Sequence, residues 1–378
     1  MEFVAPESLS EALCDAWRRL HAAHCGHEAV CSGPDFFATL VETQPEDRLT
    51  VAVGYCGDNS AAVCALAPLR MRIQAFDPHG LSAYLLRRPM RIWAVLGSDP
   101  LLDPHSPAAH MLPGFLCGLE QAPGKFDALE LQALEVASPT WNAIMHSGDV
   151  RKRFFVYTPN GIRNCHQTPL PDTHETYLAQ FPRKKRYNLA RQLRLIAENL
   201  GGLPEVVPHA DTASIDALID AVKRIGGSER LLLSKAEYAA LGKKGLLLNF
   251  VVRVGDEPIA VILGIPSGSI YRLNKLIYTQ RLAPYSPGTS TLHMMNEWFI
   301  ADGRFKLVDF GFGEPARTYS SSNRTVRRAR VLLLRRTFGN RMLLMVHRGI
   351  VALEMTGRKI AQRSRIFVDS IQSKKKDP

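Results

Sequence analysis

The sequence predicts an α/β (α+β) fold of two tandem domains, each a mixed, mostly antiparallel sheet flanked by helices. Three observations carry this prediction. The same order of elements occurs twice along the 378 residues. Within each half, apolar runs are separated by short turn segments at hairpin spacing. Each half then adds a loop, a helix and one more apolar run. A strand that returns after a helix lies parallel to its neighbour through a crossover, whereas the meander before it is antiparallel. The chain is long enough for two hydrophobic cores.

In the first half, an amphipathic helix is predicted near residues 8–22 and another around 34–43. "LTVAVGYC" from Leu49 is a strand, Gly57-Asp58-Asn59 a turn and "AAVCALAPLRMRI" the second arm of a hairpin. "RIWAVLG", Arg91 to Gly97, is a third strand. After the Pro-rich loop "SDPLLDPHSP" comes a short helix through Leu112 and Leu119, then the strand "FDALELQAL" and a helix from Ser138. In the second half, "FPRKKRYNLARQLRLIAENLGG" and "SIDALIDAVKRIGG" are helices, each stopped by a Gly pair. "LLLNFVVRV", "IAVILGIP" and "SIYRLNKLIY" form a meander, and "KLVDFGF" is the returning strand beyond the next helix. The polar, turn-rich segment 158–175 separates the halves. The expected division is a first domain over 1–160, a second over 170–340 and a basic amphipathic helix and tail over 341–378.

The net charge of +11 is concentrated at the C-terminal end. Residues 321–378 hold 15 Lys and Arg against three acids, while the rest of the chain carries 32 basic and 33 acidic groups. A basic tail of this kind meets tRNA phosphates, an acidic carrier protein or, peripherally, an anionic membrane. No run approaches 18 apolar residues and no signal peptide is evident, so a cytoplasmic location is expected. Seven cysteines, all within the first 165 residues, do not form a disulfide framework. His21, His24, Cys25, His27 and Cys31 lack the paired spacing of structural zinc sites, so no metal is expected.

The strongest candidate binding element is Ser286-Pro287-Gly288-Thr289-Ser290. Ser286 is a natural N-cap, Pro287 is preorganised for a first helical turn, and Gly288 lets a bound group approach the backbone. With the unpaired N–H groups and dipole of the helix start, these features form a phosphate or pyrophosphate site.

Three stretches, "RKKRYNLARQLRLIAEN", "YSPGTSTLHMMNEWFIADG" and "LVDFGFGEPARTYSS", resemble the FemAB/CelD-like branch of the GNAT superfamily of N-acetyltransferases. "APLRMR", "WAVLGSDPLLDP" and "LELQALEVAS" extend the likeness over nearly the whole chain. The resemblance implies two GNAT-like domains, with the donor's pyrophosphate held at Tyr285, Ser286, Gly288, Thr289 and Ser290. Where relatives carry Tyr-Lys, this sequence has Ala316-Arg317, with Tyr319 two positions on.

The implied activity is N-acyl transfer from an acyl-CoA or acyl-carrier protein to an amine of a small molecule or envelope precursor. No cofactor is bound permanently. No GxSxG elbow is present, so direct attack on the thioester is favoured over a covalent enzyme intermediate. Asp309 and Glu314 flank the returning strand as candidate bases, and Tyr319 or Tyr285 is a candidate proton donor to the thiolate. Arg183, Arg186, Arg194, Lys275 and Arg317 are candidate substrate-binding cations. Arg272 and Lys275 share a strand, and parity alone leaves open which one reaches the site. The N-terminal copy, with Asp99 and Asp103 in its corresponding loop, forms an acceptor wall or a scaffold. Two alternatives stand beside this reading: an aminoacyl-tRNA-dependent Fem-type aminoacyltransferase, and a catalytically degenerate pair acting as an interaction module.

Overall fold

The computed structural model describes residues 1–24, 29–56, 62–76, 88–105, 108–159, 161–228, 230, 232–312 and 322–353. In the first half, β1 (Glu2–Val4), α1 (Glu11–Ala22) and α2 (Pro34–Thr43) precede the meander β2 (Leu49–Cys56), β3 (Ala62–Ala75) and β4 (Pro89–Val95). The short β5 (Leu101–Leu102), α3 (Ala108–Gly118) and β6 (Ala128–Glu135) complete that repeat. Next come α4 (Pro139–His146), α5 (Gly148–Arg153), β7 (Phe154–Tyr157), β8 (Ile162–Pro169) and α6 (His174–Ala179). The second half opens with α7 (Arg183–Leu200), β9 (Glu205–His209), α8 (Ile215–Arg224) and α9 (Lys235–Lys243). Its meander is β10 (Asn249–Val254), β11 (Glu257–Ser267) and β12 (Ile270–Tyr278), followed by α10 (Pro287–Asp302) and β13 (Leu307–Asp309). The long β14 (Arg324–Arg335) leads into α11, residues 338–353.

Local chemistry explains the helix limits. Ser10 Oγ accepts the Leu13 N–H at 3.2 Å, so the cap of α1 is Ser10 rather than Ser8, and the helix buries Leu13, Trp17 and Leu20. The helix α7 stops at Gly201, whose φ of 74° is left-handed, and it buries Leu189 and Ile196.

The repeat is borne out in register. β4 pairs with β6 in parallel in the first half, and β12 pairs with β13 in parallel in the second. All the strands among the described residues join one 14-stranded sheet, and its central path runs β4-β6-β14-β8-β13-β12. The segment 158–175 is therefore more than a polar connection, because β8 within it is a sheet strand. β14 pairs with β6, β7 and β8, so a strand from late in the chain closes the first half and joins it to the second. Away from the sheet, Gln44 Nε2 donates to Glu237 Oε1 at 2.7 Å and the Val30 N–H donates to Ser267 Oγ at 2.9 Å. These bonds fasten α2 and the residues before it onto the second half.

One pair of cysteines departs from the sequence expectation: Cys56 and Cys64 are joined as a disulfide across β2 and β3, their Cα atoms 5.8 Å apart. His21 Nε2 lies 2.8 Å from the Ala29 carbonyl, and no group of three or more metal-ligating side chains occurs among the described residues. None of the described helices is long and apolar enough to cross a membrane.

A bulge interrupts the ladder of the second meander. Leu263 opposes Lys275 and Gly264 opposes Leu273, so Asn274 is an extra residue on β12. Gly264 is required there. Its N–H donates to Asn249 Oδ1 at 3.1 Å, and a Cβ at this position would lie 2.2 Å from Tyr271 Oη and 2.7 Å from the Arg272 carbonyl. The variant G264A is expected to lose about 1–3 kcal/mol by overpacking. Urea unfolding checks this, and an unchanged midpoint would remove the constraint.

Candidate active site

The two halves differ at the parallel strand pair. In the first half, β4 stays paired with β6 up to its last residue, Val95 opposite Leu131. In the second, the last pair is Arg272 opposite Asp309, yet β12 runs on to Tyr278. The chain leaving β13 turns towards β8, where the Phe310 N–H donates to the His166 carbonyl at 3.1 Å. The edge of β12 from Leu273 to Tyr278 is thus without a strand partner among the described residues. A notch opens between two strands that start together.

The helix α10 begins beside this notch. A Cβ on Gly288 would lie 3.1 Å from the Tyr278 ring and 3.4 Å from Leu276, so the first turn of α10 sits against the end of β12. Ser286 does not act as the predicted cap: its φ of 53° is left-handed and its side chain makes no capping hydrogen bond. Its carbonyl instead accepts the N–H groups of Thr289 and Ser290, at 3.1 and 3.3 Å. Pro287 has no N–H, so Gly288 supplies the first-turn donor that no backbone carbonyl takes. The Ser290 side chain is buried and its hydroxyl makes no hydrogen bond, so it does not face a cleft. Tyr285 ends the preceding 3-10 turn and packs with Leu282 and Ile196.

On the face of β12 opposite α10 lie two adjoining cavities between the halves. Leu273 and Tyr271 pack with Leu292, Met295 and Phe299 of α10, while Arg272 and Asn274 reach the other side. One cavity, of about 440 Å³, is lined by Arg70, Arg72 and Gln132 from the first half and by Ile265, Arg272 and Asn274 from the second, among others. The other, of about 390 Å³, is mainly apolar, with Phe36, Leu40, Leu241 and Leu247 in its wall and Lys275 and Glu237 among its charged groups. Phe36, Arg70, Ile265 and Asn274 belong to both. The bulge settles the parity question: with Asn274 inserted, Arg272 lines one cavity and Lys275 the other.

Several predicted residues fall elsewhere. Asp309 is fully buried, and its carboxylate is bound by Arg328 at 2.7 and 3.0 Å, by Gln167 at 2.6 Å and by the Gly311 N–H at 2.7 Å. An acid so held fastens β13, β8 and β14 together and is not a cleft-facing base. Arg183, Arg186 and Arg194 are exposed on α7 and line neither cavity; Arg194 pairs with Glu198 at 3.5 Å. Glu314, Arg317 and Tyr319 lie outside the described residues. Glu237, the one carboxylate among the described residues that line these cavities, is committed to the capping box of α9 and to Gln44. Cys165 and His166 are strand neighbours on opposite faces, with His166 Nδ1 3.1 Å from Ser322 Oγ.

The sequence reading missed Asn274, Asn249 and the Arg70/Arg72 pair. The pair leaves a trace in "PLRMRI", where two arginines alternate along a strand. Asn249 is 2% exposed, and its Nδ2 has no hydrogen-bond partner while it lines the apolar cavity.

This geometry, with its repeated meander, crossover helix and notched parallel pair, defines the class. Residues 183–319 match the family model described as an acetyltransferase (GNAT) domain. The whole chain is similar in fold to FemX, with a TM-score of 0.58 and 12% identity over 92% of this chain and 100% of that one. It is similar to the tandem GNAT protein from the clavulanic acid biosynthesis pathway, at a TM-score of 0.54 and 13% identity over 88% of this chain and 98% of that one. It also resembles L-PGS from Bacillus licheniformis, at a TM-score of 0.51 and 11% identity over 91% of this chain and 97% of that one. No curated protein matches the sequence significantly. The chain shares the tandem two-domain fold of these structures, and residues 183–319 in its second half match the acetyltransferase (GNAT) domain model.

Proposed function

We propose that the chain is an N-acyltransferase that moves an acyl group from a coenzyme A or carrier-protein thioester to an amine. The observation that carries this reading is the unpartnered edge of β12 running from the notch to the start of α10. A pantetheine arm carries two amides and pairs with such an edge as an added strand does. The donor phosphates then meet the positive end of α10 and the Gly288 N–H. At the notch, the bulge takes Asn274 out of the ladder, and its backbone N–H is the candidate donor to the developing oxyanion. The amine enters from the cavity side, and its nitrogen lone pair attacks the thioester carbonyl. The C–S bond breaks, the amide forms, and the proton lost by the amine returns to the thiolate.

Calorimetry of the full chain with coenzyme A, a charged carrier protein and aminoacyl-tRNA tests the donor. Thioester carriers are expected to bind, and Gly288→Leu to weaken coenzyme A by about tenfold or more, roughly 1.4 kcal/mol, because the side chain displaces Tyr278 or the ligand. Binding of aminoacyl-tRNA alone overturns the thioester assignment in favour of a Fem-type aminoacyl donor. Binding of none of the three overturns transferase activity and leaves an interaction module.

A further inference from the structure

We propose that α11 is a membrane-docking helix, which lies along an anionic bilayer with its outward apolar stripe in the lipid interface and its arginines among the headgroups. This role is independent of the acyltransferase reading. The helix is apolar on two opposite faces, and the inward one is pinned. Asn340 is buried, and its Nδ2 donates to the Asp127 and Arg335 carbonyls at 2.9 and 3.0 Å. Leu343 and Leu344 pack with Met90, Ile92 and Leu334. His347 is buried, with Nε2 2.8 Å from Tyr157 Oη and its ring T-shaped against Phe76. These contacts fix the rotation of α11 about its axis. At the helical repeat, Phe338, Met342, Met345, Val346 and Leu353 then form one stripe on the opposite side. All five are exposed, Phe338 at 80%, Leu353 at 75% and Met345 at 57%.

A helix with apolar residues all round calls for a second apolar environment, and a contiguous exposed patch marks an interaction surface. Charge gives the sign of the partner. Residues 322–353 contain no Asp or Glu, and Arg341 and Arg348 are exposed along one border of the stripe. Long cationic side chains at the border of an interfacial helix bury their stems and keep their heads at the headgroup level. The sequence that follows, residues 354–378, holds seven Lys and Arg against three acids. Stable attachment to a membrane surface takes two signals, such as apolar insertion and a polybasic segment. Both occur here in one continuous stretch of chain, which favours an anionic lipid surface over an acidic protein. The helix lies on the bilayer, since none of the described helices is long and apolar enough to cross one.

Co-sedimentation of the full chain with vesicles tests this role, using phosphatidylcholine alone and phosphatidylcholine mixed with phosphatidylglycerol. Binding to the mixed vesicles is expected to be stronger than to the neutral ones by about tenfold or more. The double variant F338Q/M345Q is expected to weaken it by about 10- to 100-fold, because two side chains lose their apolar environment. R341Q and R348Q are each expected to weaken it by about fivefold. Melting temperatures should stay near the wild-type value, since all four positions are exposed. In F338W, tryptophan emission should move to shorter wavelength on adding mixed vesicles, beyond any change in the wild type, as the ring leaves water. No binding to mixed vesicles, equal binding to both compositions, or an unshifted F338W emission overturns the proposal. So does binding that F338Q/M345Q leaves unchanged but that is lost when Lys374, Lys375 and Lys376 are replaced by Gln, since charge in the tail then acts alone. A lipid-free dimer in sedimentation velocity that F338Q/M345Q dissociates assigns the stripe to a second copy and also overturns it. Thioester binding is measured separately, so either reading can fail without the other.

Discussion

Replacing Arg328 with Met is expected to cost about 3–5 kcal/mol of stability, because it strands the Asp309 carboxylate in the protein interior without its cation. Both side chains are almost completely buried, at 1% and 0% exposure, and they meet through two hydrogen bonds. Three strands converge there: β13 carries the acid, β14 the guanidinium and β8 the Gln167 amide. β13 is only three residues long, so few ladder bonds hold it and the side-chain bonds matter more. The double variant D309L/R328M removes both charges and is expected to recover much of the loss, since a buried pair often contributes little relative to apolar residues of similar volume. Urea unfolding of the two single variants and the double variant measures the coupling. A catalytic base would behave differently: D309N would keep its unfolding midpoint and lose turnover. That result would falsify the architectural role.

What the sequence made legible was whatever has a local period or a local breaker. The strands from Leu49, Asn249 and Ile270, the helices α2, α7 and α8, and the parallel return of "KLVDFGF" all follow from alternation, amphipathic spacing and Gly pairs. β8 was hidden because "IRNCHQTP" is polar for a strand; it lies between β14 and β13, and its polar side chains serve the Asp309–Arg328 pair. β14 reads as a basic segment, since Arg324, Arg327, Arg328 and Arg330 conceal the apolar run from Val331 to Leu334. Pairing between residues about 200 positions apart, such as Leu332 with Glu130, has no local signal at all. The site divides in the same way. The start of α10 was visible as Ser-Pro-Gly, whereas the Asn274 bulge depends on the register of two strands and the arginine cavity on contact between the halves. Asp309 was misread because a carboxylate at a strand end looks the same whether it faces a cleft or a buried arginine.

The same limit applies to His293, which sits in the predicted helix but takes part in a buried polar network that only the packing reveals. The Asn296 Nδ2 donates to Tyr177 Oη at 2.9 Å, and Oη lies 2.6 Å from His293 Nδ1, which accepts the tyrosine's hydrogen when the ring is neutral with its own hydrogen on Nε2. That arrangement places the imidazole hydrogen on Nε2, which is buried without a partner. Burial, assisted by the neighbouring Lys185 and His174, lowers the His293 pKa from 6.5 to about 3. The unfolded chain therefore binds a proton at a pH where the folded chain does not. The stabilisation is fully present above about pH 6.5 and is lost progressively as the pH falls towards 3. Between pH 7.5 and pH 5 the loss from this one residue is about 2 kcal/mol. The variant H293Q cannot take up the proton yet keeps an acceptor for Tyr177, so its stability should fall less over that interval. Urea midpoints for both proteins at pH 7.5 and 5 give the difference directly, and subtracting them removes the contributions of other histidines such as His24 and His209. Parallel curves for the two proteins would mean that His293 is protonated in the folded state, with Tyr177 Oη accepting from Nδ1 and its own hydrogen directed elsewhere.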